Sequence, residues 1–261
     1  MTFALQPVAD PAAPLARRNP VAKLAAALLF ALPLVTTLDP VTPALALAVE
    51  LTVLPLFGLR YAVLARRAWP LLLAGAGVLI SLVLFAADRS GRLLVGLGPF
   101  DITSGVLITA LGLVLRLFAI ALPGVIVFAT TDPTDLADAL VQNAKAPPRF
   151  AIGALAAFRL LPLLGAEWQM LTLARRARGV DTGIRGFPAI AFALLVGALR
   201  RGTRLAVAMD ARGFDSAVPR TYARKQVFSK SDWLLIVGAV VLTAMVLATT
   251  VLTGQFRPIT A

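Results

Sequence analysis

Long apolar blocks punctuated by short polar ones run along this chain, and about 20 apolar residues in helical form cross a bilayer. The first block covers residues 24–38, bounded by Lys23 and by Asp39-Pro40. The second covers 41–59 and contains Glu50. A third covers 69–87 and a fifth covers 233–252; both open on a Trp, a residue that favours the membrane–water interface. The fourth covers 103–130 and contains Arg116. These blocks predict five spanning helices. The turn-forming run Asp39-Pro40-Val41-Thr42-Pro43 makes the first two a helical hairpin.

A secretory signal is the competing reading of the start, with basic Arg17-Arg18, an apolar core, and small Ala46 and Ala48 before a cut. That core would be interrupted by the same Asp-Pro run, which disfavours it.

Residues 132–232 break the pattern. Asp132-Pro133-Thr134-Asp135 reads as a helix start, with Pro in the first turn and acids where the dipole favours them. Lys145-Ala146-Pro147-Pro148 ends that helix. A long helical stretch follows from 150 to 178, apolar in its first half and basic at its end, with Gly179 as a left-handed cap. The plan recurs over 187–212: an apolar half, a belt of Arg200, Arg201 and Arg204, and a cap at Gly213. Each apolar half is too short to span lipid alone, and Arg159 and Pro162 argue against a sixth span. Such helices are expected against the ends of the bundle or at the interface.

The charges then set the topology. Arg17, Arg18 and Lys23 precede the first block, Arg60, Arg66 and Arg67 separate the second from the third, and fifteen Lys or Arg fall within 132–232. Five spans with the N-terminus inside place all these clusters in the cytoplasm. The net charge of +12 therefore reports topology first, and with no basic patch interleaved with exposed aromatics no nucleic-acid partner is expected. The composition, 59% hydrophobic and 15% charged, is that of a membrane protein. Without Cys or His there is no disulfide, thiolate, imidazole or common transition-metal chemistry. No cofactor is expected.

The most informative feature is a repeat: Ala177-Arg178-Gly179-Val180-Asp181-Thr182 and Ala211-Arg212-Gly213-Phe214-Asp215-Ser216. Both copies are Ala-Arg-Gly, an apolar residue, Asp and a small hydroxyl, at matching helix ends. A cation near a helix C-terminus gains about 0.3–1 kcal/mol from the dipole, which alone could account for one arginine. The doubled, extended pattern points further. Each guanidinium offers a planar fork of five donors suited to a carboxylate or carbonyl cluster in a groove of another protein. Two such tips suit a partner with two similar grooves. Asp181 and Asp215 could fold back on their own arginines or cap the next turn.

These features together resemble the transmembrane T component of energy-coupling-factor transporters, ABC-type importers of vitamins and transition-metal ions in prokaryotes. The resemblance spans essentially the full length, through the spanning blocks, the segment from Thr131-Asp132-Pro133 to Leu140, and the two Ala-Arg-Gly motifs. It implies an all-α polytopic membrane protein of about five transmembrane helices plus long cytoplasmic coupling helices. It also implies spanning helices over 1–131, a coupling region over 132–232, and a last span and tail over 233–261. By the same resemblance Ala177, Arg178, Gly179, Ala211, Arg212 and Gly213 would bind two ATP-binding cassette ATPase subunits. The bundle would hold a separate substrate-binding membrane subunit, in the prokaryotic plasma membrane with the N-terminus cytoplasmic. The chain itself would be non-catalytic, and it carries no glycine-rich phosphate loop of the Walker type.

Two other classes compete. A membrane enzyme would need a catalytic constellation; Asp132, Asp135 and Asp138 at three-residue spacing could hold Mg²⁺, but helix-start acids are the commoner use of that pattern. A self-sufficient secondary transporter or channel would show broken helices or an inverted repeat in its spanning part, whereas the only repeat found lies outside it. Glu50 and Arg116, as charges inside apolar blocks, could pair with each other, pack helices or serve transport.

Overall fold

A computed structural model describes residues 13–85, 90–95, 102–180, 183–214 and 221–256. Among these residues the chain forms eight α-helices and one two-stranded antiparallel ribbon. The helices are α1 (Pro20–Leu34), α2 (Val41–Val53), α3 (Tyr61–Phe85), α4 (Ser104–Thr130), α5 (Pro133–Gln142), α6 (Pro148–Ala177), α7 (Phe187–Ala211) and α8 (Lys230–Leu252). The ribbon pairs β1 (Leu93–Val95) with β2 (Ile102–Thr103), an element the apolar pattern does not announce. The protein is thus an all-α polytopic membrane protein.

The spans differ in detail from the expected blocks. By length and composition α3, α4, α6 and α8 can each cross a membrane, with α6 the least apolar of the four. α6 runs unbroken through Arg159 and Pro162 for 30 residues, so the expectation that its apolar part is too short to span is not met by length and composition. α1 and α2 hold only 15 and 13 residues, and a single turn of 3₁₀ helix, Leu54–Phe57, extends α2. At 1.5 Å per residue α1 covers about 22 Å of a hydrocarbon core about 30 Å thick. It stops at Leu34 because Pro33 sits in its last turn, where the Val35 N–H doubles back to the Leu32 and Pro33 carbonyls. α3 starts at Tyr61, taking Arg66 and Arg67 into the helix rather than leaving them in a loop. The Arg67 guanidinium reaches the Phe128 carbonyl (3.2 Å) in the last turn of α4, where a cation is favoured.

The structure divides into two units: one contains α1–α5, the ribbon and α8, the other α6 and α7. In the first, α4 is the central helix, packing on α1, α2 and α3. α1 and α2 lean on α4 and α8 rather than on each other. Phe30, Leu34, Ala46, Ala119 and Val246 form one buried cluster, and Leu15, Leu54, Leu59, Leu64, Ala68 and Leu122 another. Gly75 allows α3 to close on α4: a Cβ there would sit 3.3 Å from Val114.

A buried polar seam joins the helix ends of this unit. The Lys23 ammonium, 2% exposed, donates to the Thr130 carbonyl (2.9 Å), Thr131 Oγ1 (3.2 Å) and the Ala16 carbonyl (3.4 Å). It thereby ties the start of α1 to the end of α4. Asp232 completes a capping box with Ser229, accepting from its N–H and hydroxyl, and also accepts the Asn19 N–H (2.9 Å). Asn19 caps α1 through Val21 N and donates to Asn143 just past α5, while Asn143 donates to the Gln226 carbonyl. In lipid-facing structure an unpaired polar group is expensive, so each of these bonds selects one assembly of helix ends. Lys23→Met should therefore lower unfolding free energy by about 2 kcal/mol. Thermal unfolding in detergent checks this, with Arg17→Gln, an exposed neighbour, shifting little by comparison.

Candidate partner-docking site

The second unit carries the paired motif. α6 packs on α7, with Trp168 against Phe187 at 5.5 Å between ring centroids. Few of their apolar side chains are covered within the unit: Phe150, Met170, Phe192 and Leu199 are all more than 60% exposed. Exposed apolar area on this scale belongs against lipid or another subunit.

Both helices end in the same backbone motif. Arg178 caps α6 with φ −90° and ψ 6°, and Arg212 caps α7 with φ −90° and ψ 11°. Gly179 and Gly213 then turn left-handed, at φ 67° and 70°. A Cβ at these angles would crowd the following carbonyl, so glycine is the residue the turn requires. The Gly179 N–H bonds the Arg176 carbonyl (3.0 Å) and the Val180 N–H the Arg175 carbonyl (3.0 Å). In α7 the Gly213 N–H bonds the Asp210 carbonyl (2.8 Å) and the Phe214 N–H the Met209 carbonyl (3.1 Å). These paired bonds define a Schellman end, which commonly places an apolar residue just after the glycine. Val180 and Phe214 are those residues, so glycine and apolar residue are accounted for by the turn.

The arginine is not. α8 finishes in the same way: Thr253 caps it, Gly254 takes φ 67°, and Gly254 and Gln255 bond back to Val251 and Thr250. A threonine therefore serves in the position that the repeat gives to arginine. Ala177, Arg178, Gly179, Ala211, Arg212 and Gly213 are all exposed. Among the described residues neither the Arg178 nor the Arg212 guanidinium has a hydrogen-bond or ion-pair partner. Asp181, Thr182, Asp215 and Ser216, the rest of each repeat, lie outside the described residues.

Sequence reasoning missed the pair that joins the two helices. Arg201 Nη2 meets Glu167 Oε2 at 2.6 Å, and a Cβ at Gly197 would lie 3.1 Å from the same carboxylate. The missing side chain lets the acid lie flat against α7. Glu167 and Arg201 each lie eleven residues ahead of the arginine capping their own helix, about 16 Å of rise in either. That matched spacing was present in the sequence; only the contact was not.

The other candidates resolve differently. Asp132 caps α5, accepting from Thr134 N at 2.7 Å, and among the described residues no three acids gather as a metal site. Glu50 and Arg116 do not pair. Both Glu50 carboxylate oxygens are buried without a partner, and the acid acting on Arg116 is Asp39, whose Oδ2 accepts from Thr42 N.

Residues 11–223 match the family model described as CbiQ, cobalt transport protein. A Limosilactobacillus fermentum protein named energy-coupling factor transporter transmembrane protein EcfT is 33% identical over 162 residues, 57% of this chain and 61% of that protein. Its namesake from Bacillus subtilis is 28% identical over 212 residues, 74% of this chain and 80% of that protein. A Bifidobacterium longum protein named putative ABC transporter ATP-binding protein is 28% identical over 185 residues, 66% of this chain but 24% of its own greater length. With the family match covering most of its length, the chain belongs to the CbiQ cobalt transport family, as an EcfT-like transmembrane component of energy-coupling factor transporters.

Proposed function

We propose that Arg178 and Arg212 are the points at which two ATP-binding cassette ATPase subunits grip this protein. In this reading α6 and α7 carry the ATPases' motion to a separate substrate-binding membrane subunit, for uptake of a vitamin or metal ion. The observation that carries the reading is the pair of matched helix ends bearing exposed arginines that the turn itself does not need. The Bifidobacterium relative supports it, since a chain of this kind aligns within a protein named for ATP binding. The basic ends of both helices then face the cytoplasm together with the N-terminus, because Arg175, Arg176 and Arg178 on one tip are costly in lipid. The exposed apolar sides of α6 and α7 are the surface offered to the substrate-binding subunit, shared with lipid. ATP hydrolysis is left to the partners.

Arg178→Ala and Arg212→Ala should leave membrane insertion and thermal stability unchanged while weakening ATPase capture at least tenfold each, as loss of a charge-assisted hydrogen bond of about 1.5–3 kcal/mol requires. Titrating purified ATPase subunits against the detergent-solubilised protein measures it; lysine at either position should recover only part, lacking the planar fork. Wild-type capture by the double alanine variant, or substrate uptake in cells lacking any ATPase, would end the proposal.

Glu167→Ala should impair uptake more than ATPase capture, because it frees the two helices without altering either tip. The reversed pair, Glu167→Arg with Arg201→Glu, should restore uptake that each single reversal abolishes. Uptake assays on the three variants decide it; no rescue by the reversed pair would remove the ion pair from the mechanism.

A further inference from the structure

The first unit contains a half-open pocket of about 550 Å³ in the gap that α1 and α2 leave between them, lined also by α4 and α8. Its size falls in the range of about 300–1,000 Å³ typical of small-molecule sites. The lining is strongly polarised. Arg18 and Lys230, at the start of α1 and of α8, lie at one end. Phe30 and Leu242, which share a buried cluster, lie at the other. From Lys230 to Leu242 α8 rises about 18 Å, which sets the length of the apolar shaft. Lys23 also lines the cavity, but its ammonium is already held by Thr130 and Thr131, so it adds positive potential rather than a free donor.

Between the two ends sits Glu50. It lies one turn before Leu54, which packs with Leu15 near the cationic end, and one turn after Ala46, which packs with Phe30. Both its carboxylate oxygens are buried and unpartnered although it lines the cavity. A buried polar group without a partner is rare enough to call for one.

We infer that this cavity is a binding site for one anionic phospholipid, its phosphate at Arg18 and Lys230 and one acyl chain in the shaft. Charge complementarity selects the class: two cations suit a phosphodiester, and a zwitterionic head group would bring its own cation against them. Glu50 then lies at the depth of the glycerol linkage. There a glycerol hydroxyl of the lipid can donate to its unpartnered oxygens. The bound chain would fill the space between α1 and α2, joining two helices that do not otherwise pack along each other.

The test uses the full chain, stripped of lipid in detergent, with native mass spectrometry and thermal unfolding as readouts. The added probes are phosphatidylglycerol, phosphatidylcholine with the same acyl chains, and glycerol phosphate. Phosphatidylglycerol should be retained and should raise the unfolding temperature, with apparent affinity falling about fivefold for each of Arg18→Gln and Lys230→Gln. Glu50→Gln should keep binding and Glu50→Leu should weaken it. Gly238→Leu offers a variant that leaves the helix packing alone, since a Cβ there meets nothing within 4 Å, yet puts a side chain into the shaft. It should lose the retained lipid. Equal retention of phosphatidylcholine, stabilisation by glycerol phosphate alone, or unchanged binding in Gly238→Leu would each overturn the assignment.

Discussion

One ammonium inside the bundle decides which helix ends meet. Lys23 donates to the Thr130 carbonyl and the Thr131 hydroxyl, so the first helix cannot slide along α4 without stranding a buried charge. The neighbouring bonds through Asn19, Asp232 and Asn143 apply the same rule to α5 and α8. Apolar contact between membrane helices is a weak guide to register, since lipid tails compete for the same surfaces. Here a short polar seam supplies the register of α1, α4, α5 and α8, and α1 can be short because its start is anchored.

The second unit is organised around a different economy of parts. The Schellman ends of α6, α7 and α8 show that the backbone asks only for glycine, and the sequence chooses what stands before it. Arginine stands in two of these places and threonine in the third, so the turn itself does not select arginine.

Much of this was legible beforehand, for identifiable reasons. Gly179 and Gly213 could be placed because only glycine readily takes φ near 70°, and Asp132-Pro133 because a cap needs an acceptor followed by a residue without an N–H. The apolar blocks gave α4 and α8 almost to the residue. Local signals misled where a long side chain or a proline could be accommodated. Arg67 reaches a carbonyl on α4, so it sits in a helix instead of ending one. α6 continues through Pro162, whose ring removes one hydrogen bond without ending the rod. The Lys23 bonds cross more than a hundred residues of chain, and no periodicity encodes such a pairing. The same holds for Glu167 with Arg201, although the equal count to each tip was there to be noticed.

That equality has a mechanical meaning. If the Glu167–Arg201 pair is the pivot, the stretches from it to the two tips are arms of one length, while the Trp168–Phe187 contact braces the rods behind it. Were both ends held by ATPases, neither would enjoy leverage over the other, and a given travel at one would demand the same travel at its twin. Such a linkage would have a gear ratio of one.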